Sequence, residues 1–470
     1  MKKTKIICSI GPASCNADIM EQMVLAGMNI ARFNFSHMNT DERNQNLEVI
    51  NEVRRRTGKS LAILWDTKGP EFRTGVVEND GIELVEGNYI RVVKEEVVGN
   101  KDRISVNHPD ALDTLNVGND ILIENAKMKI TVVSKEADGL TCQIINGGLL
   151  GSKKSISVPG VKLNIPYISE EDKADIKVAC ESDGEYIAAS FVSTKEDVLA
   201  IRNLCHEYGR DDFLIISKIE SDLGIKNISE ILEVSDGIMI ARGDMGNEIP
   251  SEKIPVVQKS LIKAARKAGK ISVVATEMLE AMMDDFRPKR AETSDIANAV
   301  LDGTDCVMLS GETTVGHHPI ETVRAMANIC ETTEKYAKFN YITAVEHIDT
   351  VPGAIAECVV ESSNRLNGKV IVAATISGFT AKLISNLKPY APILALVPDA
   401  KTGQKLAAYW GVYPVIVPMF SSTDQVITQG IEAAKQNIEL THGDKIVVTG
   451  SFPIAEDARP TNLMKIEEIQ

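Results

Sequence analysis

No apolar stretch in this chain approaches the roughly 18 residues that a membrane-spanning helix needs. No block of lysine and arginine stands out either, and 66 acidic residues are set against 51 basic ones. The formal net charge of −15 argues against a nucleic-acid or anionic-membrane surface, while leaving local phosphate binding open. Cysteine motifs are also missing. The eight cysteines are scattered from Cys8 to Cys358, with no Cys-x-x-Cys and no tight His/Cys spacing, so neither a zinc site nor a disulfide framework is indicated. Buried free thiols in a reducing cytoplasm are the expectation. The opening MKKTKIICSIGP has too short an apolar stretch before Gly11 and Pro12 for a secretory leader. The run NGGLLGSKKS misses P-loop spacing and lacks the helix that would follow one.

What is present is a long alternation. At 470 residues the chain calls for two or three domains. Its first part runs KIICSI, a helical span to Ala26, NIARFNF, a charged span to Arg56, then LAILWD, a βαβαβ rhythm. From Glu71 to about Ile165 the texture changes to glycine-punctuated, β-branched runs such as GIELVEG and YIRVVKEEVVG, which read as an inserted all-β domain. The alternation then resumes through YIAASF, FLIISKI, GIMIAR, ISVVAT and CVMLS. Three strands before the insertion and five after it predict a (βα)8 TIM barrel. A last block, with strands KVIVAAT, PILALVP, VYPVIVP and DKIVVTG, predicts a separate C-terminal α/β domain. The expected division is 1–70 with 166–345 for the barrel, 71–165 for the inserted lid, and 346–470 for the last domain.

Polar residues gather where the barrel strands end, the face on which such barrels carry chemistry. Residues two apart in a strand share a face, so Lys218 and Glu220 point together. The flanking FLIIS is too apolar for a surface strand, and an inward charged pair calls for a ligand or metal. GIMIARGDMG places Asp244 at the end of the next strand, where it either joins Glu220 in holding Mg²⁺ or caps the following helix. In NIARFNFSH, Arg32, Asn34 and Ser36 share a face. Arg32 suits a phosphate, and Asn34, Ser36, Asp66 and Thr67 offer oxygens to a monovalent cation. The alternative is a strand whose polar face is turned outward. DTKGPEFRTG crosses into the insertion and carries Arg73, and Lys153 and Lys154 could reach nucleotide phosphates from a lid. In the last domain Thr375, Ser377, Gly378 and Thr380 surround a helix start, which suits an effector phosphate or simple N-capping by Ser377 or Thr380.

The runs CSIGPAS, NIARFNFSH, DTKGPEFRTG, IISKIE, DGIMIARGDMG and RPKRAETSDIANAVLDGTDCVMLSGET, in this order, resemble the pyruvate kinase family over essentially the whole chain. The resemblance implies phosphoryl transfer from phosphoenolpyruvate to ADP, giving pyruvate and ATP. It implies Mg²⁺ (or Mn²⁺) on Glu220 and Asp244, and K⁺ on Asn34, Ser36, Asp66 and Thr67. Lys218 would neutralise the moving phosphoryl group and the enolate. Arg32, Gly243, Asp244 and Thr276 would contact substrate, and Thr276 and Ser310 would relay a proton. Asn34, His37, Arg73 and Lys154 would contact the nucleotide. It further implies a cytoplasmic homotetramer and, from Glu71 in the run GPE, dependence on K⁺. The chain departs from the family pattern at Met38, Glu277, Asn125, Ala126 and Phe379. A phosphometabolite sensor of the same fold, or a barrel lyase acting on enolpyruvyl compounds, are the competing readings. The intact site residues count against the first and the lid with Arg73 against the second.

Overall fold

The computed structural model describes residues 1–35, 40–337, 349–451 and 460–470. Eight strands, β1 (Lys5–Ser9), β2 (Ile30–Asn34), β3 (Ala62–Asp66), β4 (Tyr186–Ala189), β5 (Leu214–Ile219), β6 (Gly237–Ala241), β7 (Ile271–Ala275) and β8 (Cys306–Leu309), close into one parallel barrel. Their sequences are short and nearly all apolar because both faces are covered, by helices outside and by one another inside. The interior is filled by Ile7, Ile30, Leu64, Tyr186, Ile216, Met239, Val273 and Met308, and at the N-terminal floor by Ala407 and Ala408 of the last domain. A second layer, which includes Phe33, Trp65 and Ile63, packs between the strands and the surrounding helices.

Local chemistry sets where the helices begin. Helix Glu170–Glu181 starts on Ser169, whose hydroxyl accepts the Asp172 N–H while Asp172 accepts the Ser169 N–H, a reciprocal cap that satisfies two orphan donors. The same Asp172 carboxylate also accepts the Gly69 N–H at 3.1 Å. That bond ties the segment leaving β3 to the body of the barrel. Gly69 has φ +73, and a Cβ there would sit 2.9 Å from Ser190 Cβ, so glycine is required for the chain to cross so close to β4.

Between β3 and β4 lies the insertion. It contains a six-stranded sheet ordered Ile156–Ser157, Asp120–Ile123, Met128–Glu136, Gly139–Asn146, Tyr89–Val93, Arg103–Ser105, and a two-stranded sheet of Ile82–Leu84 with Gly148–Leu150. It has its own core, among others Ile90, Val92, Ile121, Ile130 and Leu140. The last region is a five-stranded sheet, β9 (Val370–Ala374), β10 (Ile393–Val397), β11 (Val412–Ile416), β12 (Lys445–Gly450) and β13 (Leu463–Glu468), in the order β11-β10-β9-β12-β13. β13 was not among the expected strands. It pairs antiparallel to β12 at the sheet edge, and its sequence LMKIEE is half exposed, so it carries no continuous apolar signal.

Candidate active site

The C-terminal ends of the barrel strands form the site. β2 delivers Arg32 and Asn34, and β3 delivers Asp66, with Asn34 and Asp66 side by side in register. Phe33 and Phe35 pack on Trp65 at ring distances of 5.3 and 5.2 Å in the helix-facing layer. The polar face of β2 therefore points inward, and the outward alternative is excluded. Arg32 Nε donates to Asp66 Oδ2 at 2.6 Å and its Nη1 to the Ser9 hydroxyl at 2.7 Å. The other oxygen, Asp66 Oδ1, accepts Lys218 Nζ from β5 at 3.2 Å. A buried carboxylate thus stands between two cations. Burial alone would raise the pKa of Asp66, but Arg32 and Lys218 outweigh it and hold the group below the usual carboxylate range. Burial likewise works against the charge on Lys218, and Asp66 and Glu220 overcome it and raise its pKa.

Glu220 is the least satisfied group in the cluster. Its Oε2 accepts the Phe191 N–H at 2.6 Å. Its Oε1 lies 3.1 Å from Lys218 Nζ, yet has no partner in hydrogen-bond geometry. Burial is the main cause that pushes its pKa up to about 7; Lys218 opposes the shift and nearby Asp244 adds to it. A buried carboxylate with a bare oxygen beside a second carboxylate fits a hard divalent cation. Asp244 is the third residue of helix Arg242–Glu248, whose cap residue is Ala241 and which has no side-chain cap bond, so the capping alternative for Asp244 does not hold. Among the described residues no group of three or more His, Cys, Asp or Glu gathers. A metal there would draw its remaining ligands from substrate and water.

Backbone strain is concentrated at this mouth. Phe191, Thr276 and Glu277 all have positive φ, at 54°, 70° and 53°, conformations that cost on the order of 1–3 kcal/mol each and persist only where the surroundings impose them. The strain at Phe191 aims its N–H at Glu220, and that at Thr276 accompanies a hydroxyl that accepts the Gly243 N–H at 2.8 Å. Ser310, the residue after β8, donates its N–H to Glu312 at 2.7 Å. Arg242, also at a strand end, turns away from the mouth to pair with Asp295 at 2.6 Å and to hold the Thr276 carbonyl at 2.7 Å; it supports the strained turn.

Two adjoining cavities of 470 and 520 Å³ open here. The first is lined by Asn34, Asp66, Thr67, Arg73, Lys218 and Glu220, and the second runs under the insertion past Arg73, Glu124, Asn125 and Lys154 to Glu220 and Asp244. Arg73 is held by both oxygens of Glu71, at 2.9 and 2.7 Å, and Lys154 pairs with Glu124 at 3.0 Å. Glu124, Asn125 and Ala126 form a turn with φ of 52°, 54° and 61°. The departure from the family pattern at Asn125 and Ala126 therefore falls where glycine would be less strained. Thr67 accepts the Ser190 N–H at 3.2 Å through its hydroxyl and the Ser190 hydroxyl at 2.6 Å through its carbonyl. Ser36 and His37 lie outside the described residues.

Ser190 was not singled out from the sequence. Its buried hydroxyl accepts Lys218 Nζ at 2.8 Å and stands 3.3 Å from Asp66 Oδ1. The strand-end rule could have found it, but it was read as part of the apolar run YIAASF. In the last domain Gly378, with φ 84°, starts helix Phe379–Asn386 and no side chain caps it, which corrects the N-capping expected of Ser377 or Thr380. The Thr380 hydroxyl instead meets that of Thr461 at 2.5 Å, Ser377 is exposed, and Thr375 is half-buried at the end of β9.

Fold and site together define a (βα)8-barrel enzyme whose strand ends are arranged for an anionic substrate. A family model described as "Pyruvate kinase, barrel domain" matches residues 1–323, and one described as "Pyruvate kinase, alpha/beta domain" matches residues 353–467. The pyruvate kinase of Geobacillus stearothermophilus is 42% identical over 473 residues, covering 100% of this chain and 80% of that one. That of Staphylococcus haemolyticus is 42% identical over 471 residues, covering 99% and 80%. A crystal structure of a pyruvate kinase from Cryptosporidium parvum superposes with a TM-score of 0.93 at 35% identity, covering 99% of this chain and 96% of that one. The chain belongs to the pyruvate kinase family and, with it, to the phosphotransferases of glycolysis.

Proposed function

We propose that the phosphoryl group of phosphoenolpyruvate passes to ADP in the cleft between the barrel mouth and the inserted sheets. The observation that carries this reading is the part-buried Arg32–Asp66–Lys218 array, with an oxygen of Glu220 that has no hydrogen bond beside it. Phosphoryl transfer needs little covalent help from a protein; it needs positioning and neutralisation of anionic oxygens. Arg32 binds a phosphoryl oxygen, oriented by Ser9 and Asp66. Lys218, held by Asp66 and Ser190, supplies positive charge to the moving group and then to the enolate oxygen. Gly243, Asp244 and Thr276 line the place of the carboxylate end, and the strained turn at Thr276 fixes the direction of that contact. Thr276 and Ser310 pass a proton toward the enolate carbon through water, since a hydroxyl alone is too weak an acid.

Glu220 and Asp244 are the residues that would hold Mg²⁺ or Mn²⁺, and Asn34, Ser36, Asp66 and Thr67 those that would hold K⁺. Bound there, the cations supply charge neutralisation for the reacting oxygens. Asn34, His37, Arg73 and Lys154 receive the nucleotide; for Arg73 and Lys154 this means exchanging Glu71 and Glu124 for phosphate as the insertion closes and excludes water. Residues 71–165 act as the lid on a barrel of 1–70 and 166–345, and 346–470 form a regulatory domain whose Thr375, Ser377, Gly378 and Thr380 take an effector phosphate. The working form is a cytoplasmic homotetramer. No helix among the described residues is long and apolar enough to cross a membrane.

The deciding assay is pyruvate formation from phosphoenolpyruvate and ADP with Mg²⁺, with and without K⁺. ADP-dependent turnover stimulated by K⁺ is expected. No turnover under any cation condition overturns the reading, and turnover indifferent to K⁺ removes the role given to Glu71 and the monovalent site.

A further inference from the structure

The chain re-enters the barrel from the insertion at Tyr167. Val161, Leu163 and Ile165 still pack on the core of the insertion, whereas Tyr167 and Ile168 pack on that of the barrel. Tyr167 is half-buried, and its hydroxyl donates to the Ser190 carbonyl at 2.9 Å. Burial, followed by the charges of Asp197, Glu220 and Asp172, raises the phenol pKa well above its ordinary value. The group therefore keeps its proton and acts as a donor at neutral pH. None of the reaction steps uses this residue.

Its importance lies at the other end of the same peptide. The Ser190 carbonyl and the Phe191 N–H belong to one planar unit and point in opposite directions. That N–H donates to Glu220 Oε2 at 2.6 Å, the one hydrogen bond that Glu220 accepts among the described residues. Phe191 has φ 54°, which a non-glycine residue holds only under restraint. Turning the peptide over would return Phe191 to negative φ, and would face Glu220 with a carbonyl oxygen in place of a donor. Thr67 holds the Ser190 N–H and hydroxyl, but both lie before the bond about which this peptide turns, so they do not fix it. Tyr167 grips the carbonyl end itself.

We propose that Tyr167 is a positioning residue for the metal-binding carboxylate: its hydroxyl holds the Ser190–Phe191 peptide in the strained orientation that presents the Phe191 N–H to Glu220. The inference rests on the reading of Glu220 and Asp244 as the residues that would hold a divalent cation. The N–H ties down Oε2 and so sets the carboxylate plane, leaving Oε1, the oxygen without a hydrogen bond, for the cation. Partners that orient a ligand in this way commonly change metal affinity by about 10–100-fold when removed.

The test titrates Mn²⁺ into the full-length protein without substrate, counting free metal by electron paramagnetic resonance, in the parent, Tyr167→Phe and Glu220→Ala. Tyr167→Phe keeps the ring and removes one hydroxyl. It is expected to bind Mn²⁺ about 10-fold more weakly than the parent, and Glu220→Ala is expected to lose the site. Amide exchange on the metal-free proteins, followed by mass spectrometry, reads the peptide directly. The Phe191 amide is expected to exchange slowly in the parent and several-fold faster in Tyr167→Phe, with peptides from the barrel strands unchanged. Parent-like Mn²⁺ affinity in Tyr167→Phe, with the site lost in Glu220→Ala, overturns the role of Tyr167 and leaves the metal reading standing. Undiminished Mn²⁺ binding in Glu220→Ala removes the metal reading and this inference with it. Weaker binding with unchanged exchange at Phe191 also overturns the proposal, because the effect then bypasses the peptide. If Tyr167→Phe fails to fold, the parent decides: rapid exchange of its Phe191 amide shows that the peptide is not held, and slow exchange supports the proposal.

Discussion

At the barrel mouth Asp66 and Glu220 are buried and Lys218 and Arg32 partly so, with one Glu220 oxygen left without a hydrogen bond and a cavity in front of them. The N-terminal floor also buries charge, but there the last domain covers it. Lys388 pairs with Asp305 Oδ1, and the other oxygen of Asp305 accepts the Ser272 N–H at 2.9 Å and hydroxyl at 3.1 Å. Lys5 donates to the Val412 carbonyl at 2.5 Å, and Tyr186 to the Lys405 carbonyl at 2.7 Å. Lys388 also lies over the Trp410 ring at 5.1 Å. Both ends accept a desolvation cost. At the floor the chain itself supplies the partners, which makes those charges part of the architecture. At the mouth the set is incomplete, which leaves work for a ligand.

The comparison breaks most visibly if Lys218→Met retains activity. Loss of its charge is expected to lower kcat by about 10³-fold or more, while Mn²⁺ affinity, followed by proton relaxation of water, changes only a few-fold because Glu220 and Asp244 remain. Near wild-type turnover would show that Lys218 has been given the wrong role.

Lys388→Met is the matching change at the floor. It leaves Asp305 buried without its cation and is expected to cost about 3–5 kcal/mol in denaturant unfolding, with kcat/KM below the new melting temperature close to that of the parent. A folded variant that has lost its activity would mean that the floor is catalytic as well as structural.

Glu185 sharpens the contrast through pH. Its side chain is buried and accepts the Ile63 N–H at 2.8 Å, and burial is the main cause pushing its pKa up to about 7, with Arg54 opposing. The folded state therefore binds this proton more tightly than the unfolded chain. The stability this gives is complete below the unfolded value near 4.5 and is lost as pH rises through about 7. Glu185→Gln keeps an acceptor for Ile63 and is expected to remove that slope, roughly 3 kcal/mol at about 1.4 kcal/mol per unit. Unfolding curves measured from pH 5 to 8 check it; parallel slopes in parent and variant would refute it.

The smallest effect is expected from Ser190→Ala. It removes one hydrogen bond to Lys218, worth about 1 kcal/mol or slightly more for a charged partner, so kcat falls roughly 5–10-fold with KM for phosphoenolpyruvate nearly unchanged. A change confined to KM would assign Ser190 to substrate binding instead of lysine positioning.

Much of this was legible in the chain. Apolar runs at regular spacing gave the eight barrel strands, because parallel strands covered on both faces are nearly uniformly apolar, and the residue at each run's end gave Arg32, Asp66, Lys218, Thr276 and Ser310. Ser190 escaped because one serine in YIAASF carries no pattern of its own. β13 escaped because an exposed edge strand does not need the apolar alternation that marks the others.

The sequence by itself determined the strand and helix content, the inserted β region, and which polar types stand at which strand ends, since these follow from local periodicity and composition. Only the tertiary structure decided that Asp66 is shared by Arg32 and Lys218, that Glu220 keeps an oxygen without a hydrogen bond, and that the last domain closes the barrel floor. Lys218 and Asp66 are 152 positions apart. Barrel closure brings them within hydrogen-bond reach, and burial there turns ordinary side chains into a charged array that lacks one partner.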